Sequence, residues 1–268
     1  MENTKPIKRR YTLITGGTQG IGYELARIFA VNGHNLIIVA RNEDELSSTK
    51  ESLSIFNVDV ITIAKDLFDT DNAFELYEEV KERNLEVDIL VNNAGQGQYG
   101  KFEDTDIWRE LSIIQLNISS LIILTKQFLY EMLARGEGKI LNLSSIASKV
   151  PGPWQSVYHG TKAFVQSFTE ALRNEVKDQG VTVTALLPGA TDTDFFNKAD
   201  MLDSKAVVEG KLADASKVAE DGYNALMRGD DMVISGLKNK MQVAMSNIMP
   251  DRVVAETVHQ QQKPAAGL

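Results

Sequence analysis

The 268-residue chain holds 28 basic and 37 acidic residues, a formal net charge of −9, with 43% hydrophobic and 24% charged residues. That balance suits one soluble α/β domain with a sizeable core, and its acidity argues against a nucleic-acid partner, which wants a basic face. With no cysteine and only three histidines, none at ligand spacing, disulfides and thiolate metal sites are excluded and no metal is expected.

The N-terminal Lys5, Lys8, Arg9 and Arg10 stand too close to the first glycine turn to leave room for a signal-peptide core. The longest apolar stretch, around Leu121–Leu124, falls short of a membrane span. A cytoplasmic protein is expected.

Along the chain, short β-branched runs alternate with stretches of helical period, the pattern of a parallel sheet covered on both faces. The first strand, Thr12–Thr15, ends in Thr15-Gly16-Gly17-Thr18-Gln19-Gly20-Ile21-Gly22, which opens a helix over Ile21–Asn32. Glycines without Cβ let the backbone approach a pyrophosphate, whose charge is favoured by free N–H groups at a helix N-terminus. The spacing is Gly-x-x-x-Gly-x-Gly, not the commoner Gly-x-Gly-x-x-Gly.

Strand Asn35–Ala40 and helix Glu43–Ile55 come next, and the corner between them selects the cofactor. An acid there holds the adenosine ribose hydroxyls, whereas an Arg holds a 2′-phosphate. Ala40 and Arg41 fill the corner and favour NADP(H) over NAD(H). Gln19 adds no second phosphate contact, and Glu43 and Asp44 keep NAD(H) open.

Strands Asp59–Ala64 and Ile89–Val91 flank a helix over Asp71–Arg83. A first Tyr-x-x-x-Lys pair, Tyr77 and Lys81, lies in that acidic helix, follows no serine-ending strand, and reads as surface. After a long helix, Asp106–Leu133, strand Lys139–Leu143 runs into Ser144 and Ser145. The second pair, Tyr158 and Lys162, falls in helix Gln155–Gln179, on one face at i and i+4.

This second constellation carries chemistry. Ser145 offers a hydroxyl to polarise a carbonyl, and Tyr158 a phenol to move a proton. Lys162 offers a cation that lowers the phenol from its usual pKa of about 10. Ser144 is the competing hydroxyl. The site reads as redox chemistry on alcohols and carbonyls.

Strand Thr182–Leu187, helix Ser216–Met227 and strand Met232–Ile234 follow. A helical segment from Leu237 breaks at Pro250 and resumes to about Gln260, and residues 261–268 read as a flexible tail. No shift in composition divides residues 1–268 into domains. The stretch 193–215, with Phe195, Phe196, Met201 and Leu202, reads as a substrate lid that Met241, Met245 and Met249 extend, or as core or oligomer packing. Gln96–Tyr99 and Pro151–Trp154 are further pocket candidates.

From Tyr11 to Thr193 the sequence resembles the classical short-chain dehydrogenase/reductase family. Four more motifs stand in the family's order: Asp66-Leu67, Asn92-Asn93-Ala94-Gly95, Asn117, and Pro188-Gly189. The resemblance implies an α/β, single-domain, Rossmann-type doubly wound sheet of about seven strands. By the same resemblance Asp66 and Leu67 bracket the adenine, and Asn93, Ala94 and Gly95 line the adenosine ribose. Pro188 to Thr193, with Gly189 and Thr191, covers the nicotinamide carboxamide.

The resemblance also gives Lys162 the nicotinamide ribose hydroxyls and makes Asn117, kinking its helix, the holder of a relay water. A homodimer or homotetramer is implied. His159-Gly160-Thr161 departs from the small residues usual between the Tyr and the Lys. His159 is read as a packing or surface residue, and Gly160 as slightly weakening its turn.

The expected function is NADP(H)-dependent hydride transfer to a carbonyl or from a secondary alcohol, with a moderately hydrophobic ketone or aldehyde as substrate. The alternatives are an NAD-dependent alcohol dehydrogenase, a catalytically silent NAD(P)-binding redox sensor, and an epimerase or dehydratase on a related fold.

Overall fold

The computed structural model describes residues 9–265, so Lys5, Lys8 and residues 266–268 lie outside the described residues. Seven strands form one parallel sheet: β1 Arg10–Thr15, β2 Asn35–Ala40, β3 Val60–Ala64, β4 Glu86–Asn92, β5 Gly138–Leu143, β6 Val181–Leu187 and β7 Met232–Ile234. Their order is β3-β2-β1-β4-β5-β6-β7. β1 therefore pairs with β2 on one side (Ile14 beside Ile38) and β4 on the other (Ile14 beside Val91). The direction of winding reverses between β1 and β4, and such a switch point opens a crevice at the carboxyl ends of the strands.

Strand alternation divides the core in two. Leu13, Ile37 and Val39 join one buried cluster with Leu76, Leu124, Phe128 and Leu172, from α3 Thr70–Glu82, α5 Ser120–Arg135 and α6 Ser156–Val176. Ile14, Leu36 and Ile38 join the other with Leu25, Phe29, Leu46 and Leu226, from α1 Gly20–Val31, α2 Glu43–Leu53 and α9 Ala215–Arg228. Each face of the sheet is thus sealed by helices.

One polar seam crosses this core. Asn92 Nδ2 donates to Thr125 Oγ1 and to Asn142 Oδ1, both at 2.9 Å, and Asn142 Nδ2 donates to Thr169 Oγ1 at 3.0 Å. β4 and β5 are thereby tied to α5 and α6 through buried amides, with Asn92 Oδ1 left without a partner among the described residues.

The expected helix Asp106–Leu133 is divided. α4, Ile107–Ile114, passes into a π turn, Gln115–Ser119, and then into α5. The wide turn carries Asn117, and such bulges kink the helices that hold them. By length and composition the run Ile107–Arg135 is apolar enough to cross a membrane. Here its Leu116, Leu124, Phe128 and Met132 pack in the core against the sheet.

Two short helices went unforeseen in the stretch 193–215, α7 Phe195–Lys198 and α8 Lys205–Val208. The C-terminal segment forms α10 Leu237–Ser246 and α11 Asp251–Gln262 on either side of Pro250. The flexible-tail expectation fails up to Ala265. Lys205 N donates to Lys263 O and Ala265 N to Asp203 O, each at 3.0 Å, and Ala265 is buried. These backbone bonds hold the segment as a short strap across residues 203–205.

Tyr77 is also more than a surface residue. Its ring meets Phe128 at 5.3 Å and its hydroxyl donates to Glu131 at 2.7 Å, so it fastens α3 to α5.

Candidate active site

The switch-point crevice opens into a cavity of about 1590 Å³. At its floor, β1 turns into α1 through Gly16 (φ +65°) and Gly20 (φ +53°), in the left-handed region that favours glycine. A Cβ on Gly22 would collide with the Gly16 carbonyl oxygen. The end of β4 holds this turn in shape: Asn93 Nδ2 donates to Thr15 O and Gly16 O, both at 2.9 Å. Thr15 Oγ1 in return accepts from Asn93 N (3.1 Å) and Ala94 N (3.0 Å).

Gln19 makes no side-chain cap on α1, and Gly20, Ile21 and Gly22 face the cavity. A cradle without Cβ atoms at a helix N-terminus fits a pyrophosphate.

At the adenosine corner Arg41 is half exposed. Its guanidinium lies 5.0 Å over the Phe68 ring and 4.0 Å from the Asp66 carboxylate. Asp66 Oδ1 accepts from Phe68 N at 3.2 Å, whereas α3 is capped by Asp69. Leu67 is buried, with its carbonyl accepting from Ser120 Oγ at 2.7 Å. Thr18 Oγ1 donates to Glu45 at 2.8 Å, bracing the glycine turn against α2.

The two serines after β5 have different employment. Ser144 Oγ donates to the Lys162 carbonyl at 3.0 Å, and so is spent on α6. Ser145 opens a 3-10 turn, Ile146–Lys149, with its Oγ accepting from Ala147 N at 3.1 Å, and it is the hydroxyl that bears on Tyr158.

Burial pushes the Tyr158 phenol up to about 12, with the Ser145 hydroxyl pulling the other way. Burial also lowers Lys162, to about 8. The expected lowering of the phenol by the ammonium is overridden. Lys162 Nζ donates to Leu143 O at 2.8 Å and sits 5.8 Å from the centre of the Tyr158 ring. Removing the phenol from water disfavours the phenolate more strongly than a cation committed elsewhere favours it.

Asn117 stands behind this pair, buried in the π turn. Its Nδ2 donates to Gln96 O (2.9 Å) and Thr161 Oγ1 (3.0 Å), and its Oδ1 accepts from Gln96 N (3.0 Å). A Cβ on Gly95 would lie 3.2 Å from Lys162 Nζ and 3.3 Å from Asn117 Oδ1. His159 is buried as a packing residue, its Nδ1 at 2.9 Å from Val150 O. A Cβ on Gly160 would meet nothing, because that position faces outward.

Every residue expected at the site lines this one cavity except Asn117: the glycine turn, Arg41, Asp66, Leu67, Asn93 to Gly95, Ser145, Tyr158, Lys162, Pro188, Gly189, Thr191 and Thr193. The substrate side was read less well. Phe195, Phe196 and Met201 line the cavity, but Leu202 is an exposed residue outside it. Met241 and Met245 are exposed on the far face of α10, and Met249 likewise stays off the lining, which takes Leu237, Asn239 and Gln242 instead.

Gln96 lines the cavity, whereas Tyr99 and Trp154 stack on each other behind it at 5.6 Å. Unforeseen is the wall made by α11, with Glu256, Thr257, Val258 and Gln260 to Gln262. The buried pair Val254 and Val258, at helical spacing, was the available sign that this segment docks.

A family model described as short chain dehydrogenase matches residues 10–202. The rat very-long-chain 3-oxoacyl-CoA reductase (Rattus norvegicus) is 35% identical over 190 residues, 68% of this chain and 60% of that protein. The chain thus spans less than two thirds of that relative's length. A solved short-chain dehydrogenase from Sphingobium yanoikuyae in complex with NADPH superposes with a TM-score of 0.80 at 27% identity, covering 90% of this chain and 95% of that one. The bulky-bulky ketone specific alcohol dehydrogenase from Comamonas testosteroni superposes with a TM-score of 0.75 at 27% identity, covering 89% and 93%.

Proposed function

Because the chain belongs to the short chain dehydrogenase family, we propose that it is an NADP(H)-dependent oxidoreductase that interconverts a moderately hydrophobic ketone or aldehyde and its alcohol. The single observation that carries this reading is the convergence of Ser145, Tyr158 and Lys162 with the glycine cradle in one cavity.

Gly16, Thr18, Gln19, Gly20, Ile21 and Gly22 would hold the pyrophosphate, Asp66 and Leu67 the adenine, and Asn93 to Gly95 the adenosine ribose. Lys162 would hold the nicotinamide ribose, and Pro188, Gly189, Thr191 and Thr193 the carboxamide. When bound, the nicotinamide supplies or accepts the hydride.

The chain's own residues do the rest. With its pKa pushed up to about 12, Tyr158 is a protonated phenol at neutral pH and gives its proton to the carbonyl oxygen during reduction. Ser145 Oγ hydrogen-bonds the same oxygen and stabilises the negative charge that develops there. Lys162 remains protonated up to about pH 8, and its charge assists the phenol at that moment. Asn117 positions the Gln96 loop, and the lone pair left on its Oδ1 faces the Gly95 region that Lys162 Nζ also reaches, where a relay water would sit.

Arg41 supports the phosphorylated cofactor, since its guanidinium lines the adenosine end with a flat face seated on Phe68. Phe195, Phe196 and Met201 support an apolar substrate. Outward-facing Trp108, Tyr130 and Phe164 on α4, α5 and α6 support a homodimer or homotetramer, and the acidic, ordinarily charged composition supports a cytoplasmic setting.

The test is a panel of ketones, aldehydes and alcohols followed by reduced-nicotinamide absorbance with both cofactors. Turnover that prefers NADPH, and shifts toward NADH in Arg41→Asp, is expected. Tight cofactor binding with no turnover across the panel would replace the enzyme reading with that of a redox sensor.

A further inference from the structure

The lid lies directly on the cofactor cradle, and one of its side chains reaches across. A Cβ on Gly20 would stand 2.7 Å from Thr193 Cγ2, so the chain entering α7 touches the N-terminus of α1. From α7, Lys198 Nζ donates to Gln19 Oε1 at 2.9 Å, the residue immediately before Gly20. The same ammonium pairs with Asp194 at 2.9 Å, one helical turn earlier. Lys198 lines the cavity and is 39% exposed.

The turn from Thr15 to Gly22 contains no basic residue. Arg41 is engaged at the adenosine corner by Phe68 and Asp66, and Lys65 by Glu75. A pyrophosphate on the cradle is therefore met by the backbone N–H groups of the turn, while Lys198, bonded to Gln19 of that turn, reaches it from α7. An ammonium has three donors, and here two are directed at Gln19 and Asp194.

Resting on the nicotinamide-cofactor reading above, we infer that Lys198 is the cation of the pyrophosphate seat and that it couples the cofactor to the lid. Its ammonium bridges the phosphate oxygens to Asp194, with Gln19 as the hinge contact. α7 also carries Phe195, whose ring lies 5.2 Å from that of Tyr158, and Phe196, which packs with Ala199 and Met201. Seating the dinucleotide thus fixes the apolar wall beside the catalytic phenol, and Lys198 acts as a positioning residue.

The experiment measures equilibrium binding of NADPH and of NADH, by nicotinamide fluorescence across a salt series. It compares the full chain with K198Q, K198R and, as a control, K217Q, whose lysine pairs with Glu220 on α9. Both cofactors carry the same pyrophosphate, so K198Q should weaken both by the same factor, roughly tenfold for a lost charge-assisted hydrogen bond. It should also flatten the salt dependence, with K198R restoring most of both and K217Q changing neither.

Tryptic cutting at Lys205 and Lys211, slowed by saturating NADPH in the wild type, should stay fast in saturated K198Q. Equal affinities in wild type and K198Q overturn the inference. A loss confined to NADPH overturns it too, by moving Lys198 to the 2′-phosphate. If the wild type binds neither cofactor, the proposed function fails and takes this inference with it, whereas wild-type binding untouched by K198Q sinks the inference alone.

Discussion

The side chain of Asn117 pairs with the backbone of Gln96 as one peptide pairs with another, Nδ2 donating to the carbonyl at 2.9 Å and Oδ1 accepting from the N–H at 3.0 Å. The π turn presents the amide to the loop that leaves β4, and a third bond to Thr161 fixes that loop to α6 one residue before Lys162. Asn117→Ala deletes all three bonds inside a buried site and leaves the Gln96 backbone groups without partners. A loss of about 1–3 kcal/mol in chemical denaturation is expected, together with reduced turnover. An unchanged denaturation midpoint would mean that the loop is held by something else. Asn117→Asp keeps the acceptor but sets its second oxygen against the Gln96 carbonyl, and should cost at least as much as Asn117→Ala.

The titration of Lys162 and Tyr158 sets the sign of the pH profile. In the proposed reduction both groups would act protonated. Tyr158, pushed up to about 12, keeps its proton throughout the working range, while Lys162, lowered to about 8, loses its charge there. For carbonyl reduction kcat/KM should be flat below about pH 8 and fall above it. Alcohol oxidation, which needs the phenol as a base, should instead gain with pH. A reduction rate that climbs between pH 7 and 9 would refute the assignment of the proton donor.

Ser144 and Ser145 are adjacent, yet they should separate cleanly by mutation. Ser145→Ala removes the hydroxyl beside Tyr158 and should cost about 10²–10³ in kcat, with about 1 kcal/mol of stability lost from the Ala147 cap. Ser144→Ala frees the Lys162 carbonyl from its bond and should cost stability by about 1 kcal/mol with most of the turnover kept. Tyr158→Phe should lose about 10²–10⁴ in turnover while binding cofactor normally. The opposite ranking of the serines by kcat would exchange their roles.

What the sequence made legible follows from period and punctuation. The strands and long helices declare themselves through β-branched runs and helical spacing, and the glycine turn through its place between a strand and a helix. Tyr158 stood out from Tyr77 because only one of them follows a strand ending in hydroxyls. Burial was not legible: i, i+4 spacing puts Lys162 next to Tyr158 but gives no measure of the water excluded around them, and that exclusion dominates the phenol. α7 and α8 are each a single turn, too short for a periodic signature. The position of Met241 relative to the cavity depends on which face of α10 meets the Ile146–Lys149 turn, a tertiary fact that its own stripe of methionines does not encode.

The last residues escaped for a related reason, since they dock through backbone groups that every sequence possesses. Tyr99 donates its hydroxyl to the Gln262 carbonyl at 2.6 Å, Lys205 N bonds Lys263 O, and Gln262 Nε2 meets His159 Nε2 at 3.2 Å. These contacts press α11 against the residues that follow α7. Deleting residues 261–268 should therefore open the substrate wall and loosen the stretch from which Lys198 reaches the glycine turn. With net losses of about 1 kcal/mol per bond, KM for the carbonyl should rise roughly tenfold or more, and, because Lys198 ties this stretch to the cofactor, the dissociation constant for NADPH should rise by a smaller factor. Tyr99→Phe, which removes a single one of these bonds, should give a smaller shift in the same direction. A truncated protein in which neither value changes would show that α11 holds its place without the strap.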